Sequence, residues 1–192
     1  HYEGTLLDGT KFDSSIDRIK DTNDLDILLY ESALANAYRG DSFFKLRYGQ
    51  EFGGEIPLEL DDERVIIETI NAEYVFPEVS SYNRNLISVY HIATPIRVLD
   101  TEDLEHKKGF ILNVESHYKG YIEYKQFELQ CTLTTADGKP KEYKIGNQIG
   151  ETIVEVTNIP FPLVVHIPNF SFDDSWEGLD DISESKSLFD EL

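Results

Sequence analysis

Strand-length runs of β-branched and aromatic residues recur along most of the chain, and this pattern confines the fold to a mostly β architecture. Residues 64–70 (RVIIETI) and 110–118 (FILNVESHY) are bounded by turn or charged residues, and 163–167 (LVVHI) is ended by Pro168. The Asp8-Gly9 and Asp137-Gly138 pairs fall where hairpin turns are expected, because glycine tolerates the positive φ that such turns need. One short helix is expected over residues 31–38 (ESALANAY), which are rich in helix formers and are stopped by Gly40. The expected class is mostly β (α+β) with little helix.

Between residues 71 and 95 the periodicity fades into Pro77, Ser80, Ser81, Asn83 and Asn85, which suggests a connection or an edge segment between two units. The expected organisation is a first domain over 1–75, a second over 76–172 and an acidic tail or linker over 173–192. The last twenty residues carry eight acids against one base, Lys186, the pattern of a solvated tail.

Charge narrows the partners. Across 192 residues there are 37 acidic and 17 basic side chains, a formal net charge of −20, which opposes nucleic acid and anionic membranes because both are bound through Lys and Arg. With 40% hydrophobic and 12% aromatic residues the chain is nonetheless expected to fold. No stretch approaches the ~20 apolar residues of a membrane span, and no apolar signal segment follows the start. The single cysteine, Cys131, lies in the alternating run 127–133 with no activating neighbour, so it is expected as an inert strand thiol in a cytoplasmic or nuclear protein. The histidines at 1, 91, 106, 117 and 166 have no ligand spacing, and neither a metal nor a cofactor is expected. With no secretory signal read in the sequence, the sequon at Asn169 and the terminal FDEL are expected to be chance matches.

The opening residues 1–15, HYEGTLLDGTKFDSS, form an expected strand, tight turn and returning strand. They resemble the HYxGxLxDGxxFDSS hairpin of the FK506-binding proteins (FKBPs), a family of peptidyl-prolyl isomerases. Residues 33–41 (ALANAYRGD) are similar to the end of that fold's helix and the turn after it. Residues 48–53 (YGQEFG) are similar to its PxxAYG loop, and Ile56-Pro57 with strand 64–70 to its closing segment. The resemblance covers residues 1 to about 72 and begins inside the domain, so it implies that the strand before His1 is missing from this chain.

The second half echoes the same order of motifs. Lys107-Lys108-Gly109-Phe110, then 114–122 (VESHYKGYI) and Phe127-Glu128, resemble KKGDxVxVHYxGxL…FD with a shortened turn. Residues 139–146 (KPKEYKIG) resemble the PFxFxLG strand, and 165–168 (VHIP) with Phe170 and Phe172 resemble the LTIPPxYAYG stretch. The implied fold is two FKBP-like units, each a curved antiparallel sheet, with one short helix in the first and little or none in the second. An unrelated β-sandwich is the alternative.

The chemistry of the family is demanding. Rotation about X–Pro faces a barrier of ~18–20 kcal/mol. A prolyl isomerase lowers it without a covalent step, using an apolar aromatic pocket that excludes water and favours the twisted amide. The resemblance implies a prolyl pocket of Tyr2, Phe12, Asp13, Ile27, Tyr30, Phe52, Ile56 and Ile67. It is degenerate. Asp26-Ile27 stands for a valine-isoleucine pair, and an unpaired buried carboxylate would cost several kcal/mol, so the backbone there is expected to be rearranged or solvated. Tyr30 replaces the floor tryptophan, Phe52 the loop tyrosine and Ile67 a far-wall phenylalanine. The stretch 14–30 is shorter than the pattern by about five residues, and the loop between Gly53 and Ile56 is much reduced. In the second unit Tyr118 and Phe127 match, Glu128 stands for the aspartate, and 149–159 shows neither tryptophan floor nor helix. Trp176, the one tryptophan, is expected as a packing or linker anchor.

The eroded pocket implies a protein-interaction scaffold or co-chaperone with weak or absent isomerase activity, binding a protein or peptide partner. Residues 174–177 (DSWE) resemble the linker before the tetratricopeptide helices of larger immunophilins, which bind the Hsp90 tail in that family and are absent from this chain. Alternatives left open are an active prolyl isomerase assisting folding, a germline small-RNA-pathway co-chaperone, and an acidic decoy that docks a basic partner through charge.

Overall fold

The computed structural model describes residues 12–52, 57, 62–83, 86–98, 109–134, 140–171 and 175–182. The chain divides into two compact units, residues 1–72 with 163–192, and residues 73–162.

The first described element of the first unit is helix α1, Phe12–Thr22. The resemblance implies a returning strand at Phe12 and Asp13, and the helix corrects it. The cause is local: Phe12, Ile16 and Ile19 recur at helical spacing, Asp13 and Asp17 favour a helix N-terminus, and Lys20 suits its last turn. Helix α2 spans Leu25–Arg39, well beyond the eight residues expected, and ends at Gly40, whose φ of 78° is the left-handed cap conformation. Strand β1, Asp41–Gly49, follows, so Tyr48 and Gly49 complete a strand instead of opening a loop. Strand β2, Arg64–Ile70, pairs antiparallel with β1.

Residues 41–44 of β1 are buried on both faces. On one face Ser42 meets the buried Ser32 of α2, hydroxyl to hydroxyl at 2.6 Å, which ties the helix to the strand without leaving either polar group unpaired. On the other face Phe43 stacks on His166, ring centroids 4.6 Å apart. His166 belongs to the last strand of the chain, Val164–Pro168, which pairs antiparallel with β1. That strand was expected within the second unit. Its backbone partner lies about 120 residues upstream instead, and the first sheet therefore has β1 in its centre.

The second unit is an antiparallel meander in which each strand pairs with the next: β3 Val75–Val79, β4 Ile87–Val98, β5 Gly109–His117, β6 Tyr121–Thr134 and β7 Pro140–Val156. The strand of Val164–Pro168 is β8. A 3₁₀ turn, Ala72–Tyr74, leads into β3. The stretch 71–95 thus holds an edge strand and the start of β4. Pro77 is tolerated in β3 because an edge strand leaves one side of its ladder unused. Between β5 and β6 the chain reverses through Lys119-Gly120, where Gly120 has φ 89° and Tyr118 N donates to Tyr121 O at 3.0 Å. One face of the sheet buries Val75, Tyr90, Ile92, His117 and Ile122, which the register places in neighbouring rows. Residues 149–156, where the resemblance fails to supply a floor, are strand β7.

The acidic tail is not wholly solvated. Ser171 bridges Gly178, Leu179 N donates to Phe170 O, and Asp181 N donates to Ala37 O at the end of α2. Gly178 and Gly40 meet so closely that a Cβ on either would collide with the carbonyl of the other. Both expected hairpin turns, Asp8-Gly9 and Asp137-Gly138, lie outside the described residues. No helix among the described residues is long and apolar enough to cross a membrane.

Candidate functional site

Of the residues expected in the prolyl pocket, Ile27 and Tyr30 lie on α2 just after its junction with α1. Asn23 fixes that junction: its side-chain amide donates to Ile19 O at 2.8 Å and to Val65 O at 3.0 Å, and its oxygen accepts Ile67 N at 2.8 Å. Val65 and Ile67 are alternate residues of β2, the outer strand of its sheet, so one side chain stands in for a neighbouring strand. Asp24 then takes a φ of 47° and α2 begins.

A cleft of about 310 Å³ opens beside this turn, lined by Lys20, Asp21, Asp24, Leu25, Asp26 and Ile27. Asp26 is exposed and faces Lys20 at 3.7 Å, so its carboxylate is solvated, in agreement with the cost of burying it. Ile27 lies in the cleft, whereas Tyr30, Phe52 and Ile67 do not line it. Tyr30, one turn further along α2, is 66% exposed. Ile67 sits in the β1–β2 ladder opposite Leu46, and Phe52 is in the turn after β1. Tyr2 and Ile56 lie outside the described residues, as do the side chains of Phe12 and Asp13 at the start of α1. The described residues of the expected set therefore share no single enclosure. Three carboxylates at an open mouth hold water, which is the opposite of what a twisted amide needs.

The second unit separates its matching residues further. Tyr118 stacks on Tyr121 at the β5–β6 turn, ring centroids 4.5 Å apart, and burial, then the Glu123 carboxylate, raise its hydroxyl pKa above the ordinary value. Phe127 lies six residues along β6 from Tyr121, ~20 Å at the rise of a strand. Phe127 and Glu128 are consecutive in the β5–β6 ladder and so project from opposite faces.

Two polar clusters were invisible in the sequence. In the first unit Asp41 Oδ1 accepts from His166 Nε2 at 2.7 Å and from Gly178 N at 2.9 Å, while Trp176 packs edge-on against His166 at 5.8 Å. Trp176 is thus the anchor that holds the chain after β8. In the second unit His91 spans three strands, with Nε2 3.0 Å from Glu78 Oε1 on β3 and Nδ1 2.8 Å from Ser116 Oγ on β5. The carboxylate–imidazole–hydroxyl order resembles a nucleophilic relay, but Ser116 is 3% exposed. A hydroxyl so enclosed cannot reach a substrate, and the chain of bonds fastens β3, β4 and β5 together. Sequence spacing gives no hint of it, because 78, 91 and 116 meet only through strand register. Among the described residues no group of acids, histidines or cysteines is arranged to hold a metal ion.

No family model matches the chain, and no curated protein matches it.

Proposed function

We propose that the protein is an FKBP-type immunophilin module acting mainly as an interaction scaffold or co-chaperone in the cytoplasm, with weak or absent prolyl isomerase activity. The observation that carries the loss of activity is the cleft at the α1–α2 turn. Ile27 is surrounded there by Asp21, Asp24 and Asp26, and Tyr30 stands in solvent on the same helix. Catalysis by differential binding needs a dry surface that fits the twisted amide better than the planar one, and an open, acid-lined cleft offers neither. The family assignment itself rests on the motif of residues 1–15 and the ordered echoes downstream.

Calorimetric titration with an FK506-like macrolide tests the reading. No saturable heat is expected up to about 100 μM ligand, and binding in the nanomolar range would contradict it.

A further inference from the structure

The outer edge of β7 carries the apolar surface that neither fold nor proposed function accounts for. β7 ends the five-stranded sheet, and its residues are exposed nearly throughout. Ile145, Val154 and Val156 are 57%, 53% and 67% exposed. Exposed edge strands of this kind are templates for pairing with another chain.

We infer that β7 pairs antiparallel with β7 of a second copy of this chain, across a two-fold axis between Ile149 and Gly150. In that register Lys144 lies opposite Glu155, Tyr143 opposite Val156, and Ile145 opposite Val154. The pairing is self-complementary because of the irregularities of β7. In a regular strand, residues 143 and 156 project from opposite faces, since their separation is odd. Against β6, however, Tyr143 pairs with Cys131, Ile145 with Leu129, Val154 with Glu123 and Val156 with Tyr121. All four partners are odd-numbered positions of one stretch of β6, and the extra residues of the ladder fall on β7 between Ile145 and Ile153. Tyr143, Ile145, Val154 and Val156 therefore share one face and one phase of backbone hydrogen bonding. Lys144 and Glu155, paired to Gln130 and Ile122, share the other.

The bulged centre, with Gly150 at φ 69°, lies on the axis, and two short ladders flank it. Charge favours this site for self-association in an acidic chain. Residues 76–172 hold 12 acids and 9 bases, a net −3, and the pairing sets Lys144 of each copy against Glu155 of the other.

Sedimentation velocity on the 192-residue chain from about 1 to 500 μM is the test. A monomer–dimer equilibrium is expected. Lys144→Glu and Glu155→Lys should each weaken it about tenfold, since the two-fold axis places two like-charge pairs in every dimer. Mixing the two variants should restore dimer as a heterodimer in which both pairs are again of opposite sign. Ile145→Asp, which leaves in place the hydrogen bond that the Tyr124 hydroxyl donates to Glu155 Oε2 at 2.7 Å, should also give monomer, with the far-UV signal of each variant confirming its fold. A chain monomeric over the whole range, a dimer indifferent to these changes, or single variants that do not recover on mixing would overturn the inference.

Discussion

Asp41 and His166, 125 residues apart in sequence, are joined at 2.7 Å between Oδ1 and Nε2, and both side chains are about nine-tenths buried. The same carboxylate oxygen accepts the Gly178 amide, so one atom connects the start of β1, the last strand of the sheet and the segment that carries Trp176.

Replacing Asp41 with Ala leaves both donors unpaired in a buried site and should destabilise the first unit by about 3 kcal/mol. Asp41→Asn keeps an acceptor oxygen and should cost less. Trp176 is the only tryptophan, so urea unfolding followed by its emission reports this unit alone. An Asp41→Ala midpoint equal to that of the parent would contradict the assignment.

Gly178→Ala should detach the same segment by a different route, because the new methyl meets the Gly40 carbonyl. The expected result is a red-shifted Trp176 emission before any loss of β-sheet signal, at a cost of about 1–3 kcal/mol. An unshifted spectrum would mean that the two glycines are not in contact.

Asn23 supplies three hydrogen bonds at the α1–α2 turn, two as donor and one as acceptor. Asn23→Asp should destabilise at least as much as Asn23→Ala, roughly 2 kcal/mol, because a carboxylate would face two carbonyl oxygens. Thermal melts of the two variants compare them directly, and a stable Asn23→Asp protein would show that the turn is held otherwise.

Glu68 contributes to the loss of stability in acid. Burial alone raises its pKa, but the hydrogen bond from Arg47 at 2.6 Å and the charge of Lys45 at 3.1 Å outweigh it and leave the value below 4.5. A carboxylate with a lowered folded pKa contributes stability that is complete above the unfolded value and is lost as pH falls through the folded one. The parent should therefore lose more stability than Glu68→Gln between neutral pH and pH below 4.5, with the two melting curves converging in acid. Parallel curves across that range would contradict the assignment.

The strands were the legible part of this sequence. Residues 64–70 and 110–118 are β-branched or aromatic runs whose local preference agrees with their place in a sheet. What β8 pairs with was not legible: Val164–Pro168 is a strand by composition, but its placement beside β1 depends on contacts across the whole chain. α1 was hidden by the motif that made the family resemblance, since Phe12 and Asp13 fit a hairpin pattern while their spacing to Ile16 and Ile19 fits a helix. The solvated state of Asp26 followed from the cost of burying charge. The His91 and Asp41 clusters had no signal at all, because strand register brings their members together.

The proposed loss of isomerase activity rests on the acid-lined, open cleft at the α1–α2 turn. Its most direct test is protease-coupled isomerisation of a prolyl peptide by the parent chain and by Tyr30→Trp, which places the tryptophan of the resembled FKBP pattern at an exposed position of α2. The account predicts cis-to-trans times within about twofold of the uncatalysed tens of seconds for both proteins. Efficient turnover by the parent, or a clear gain of activity in Tyr30→Trp, would contradict it.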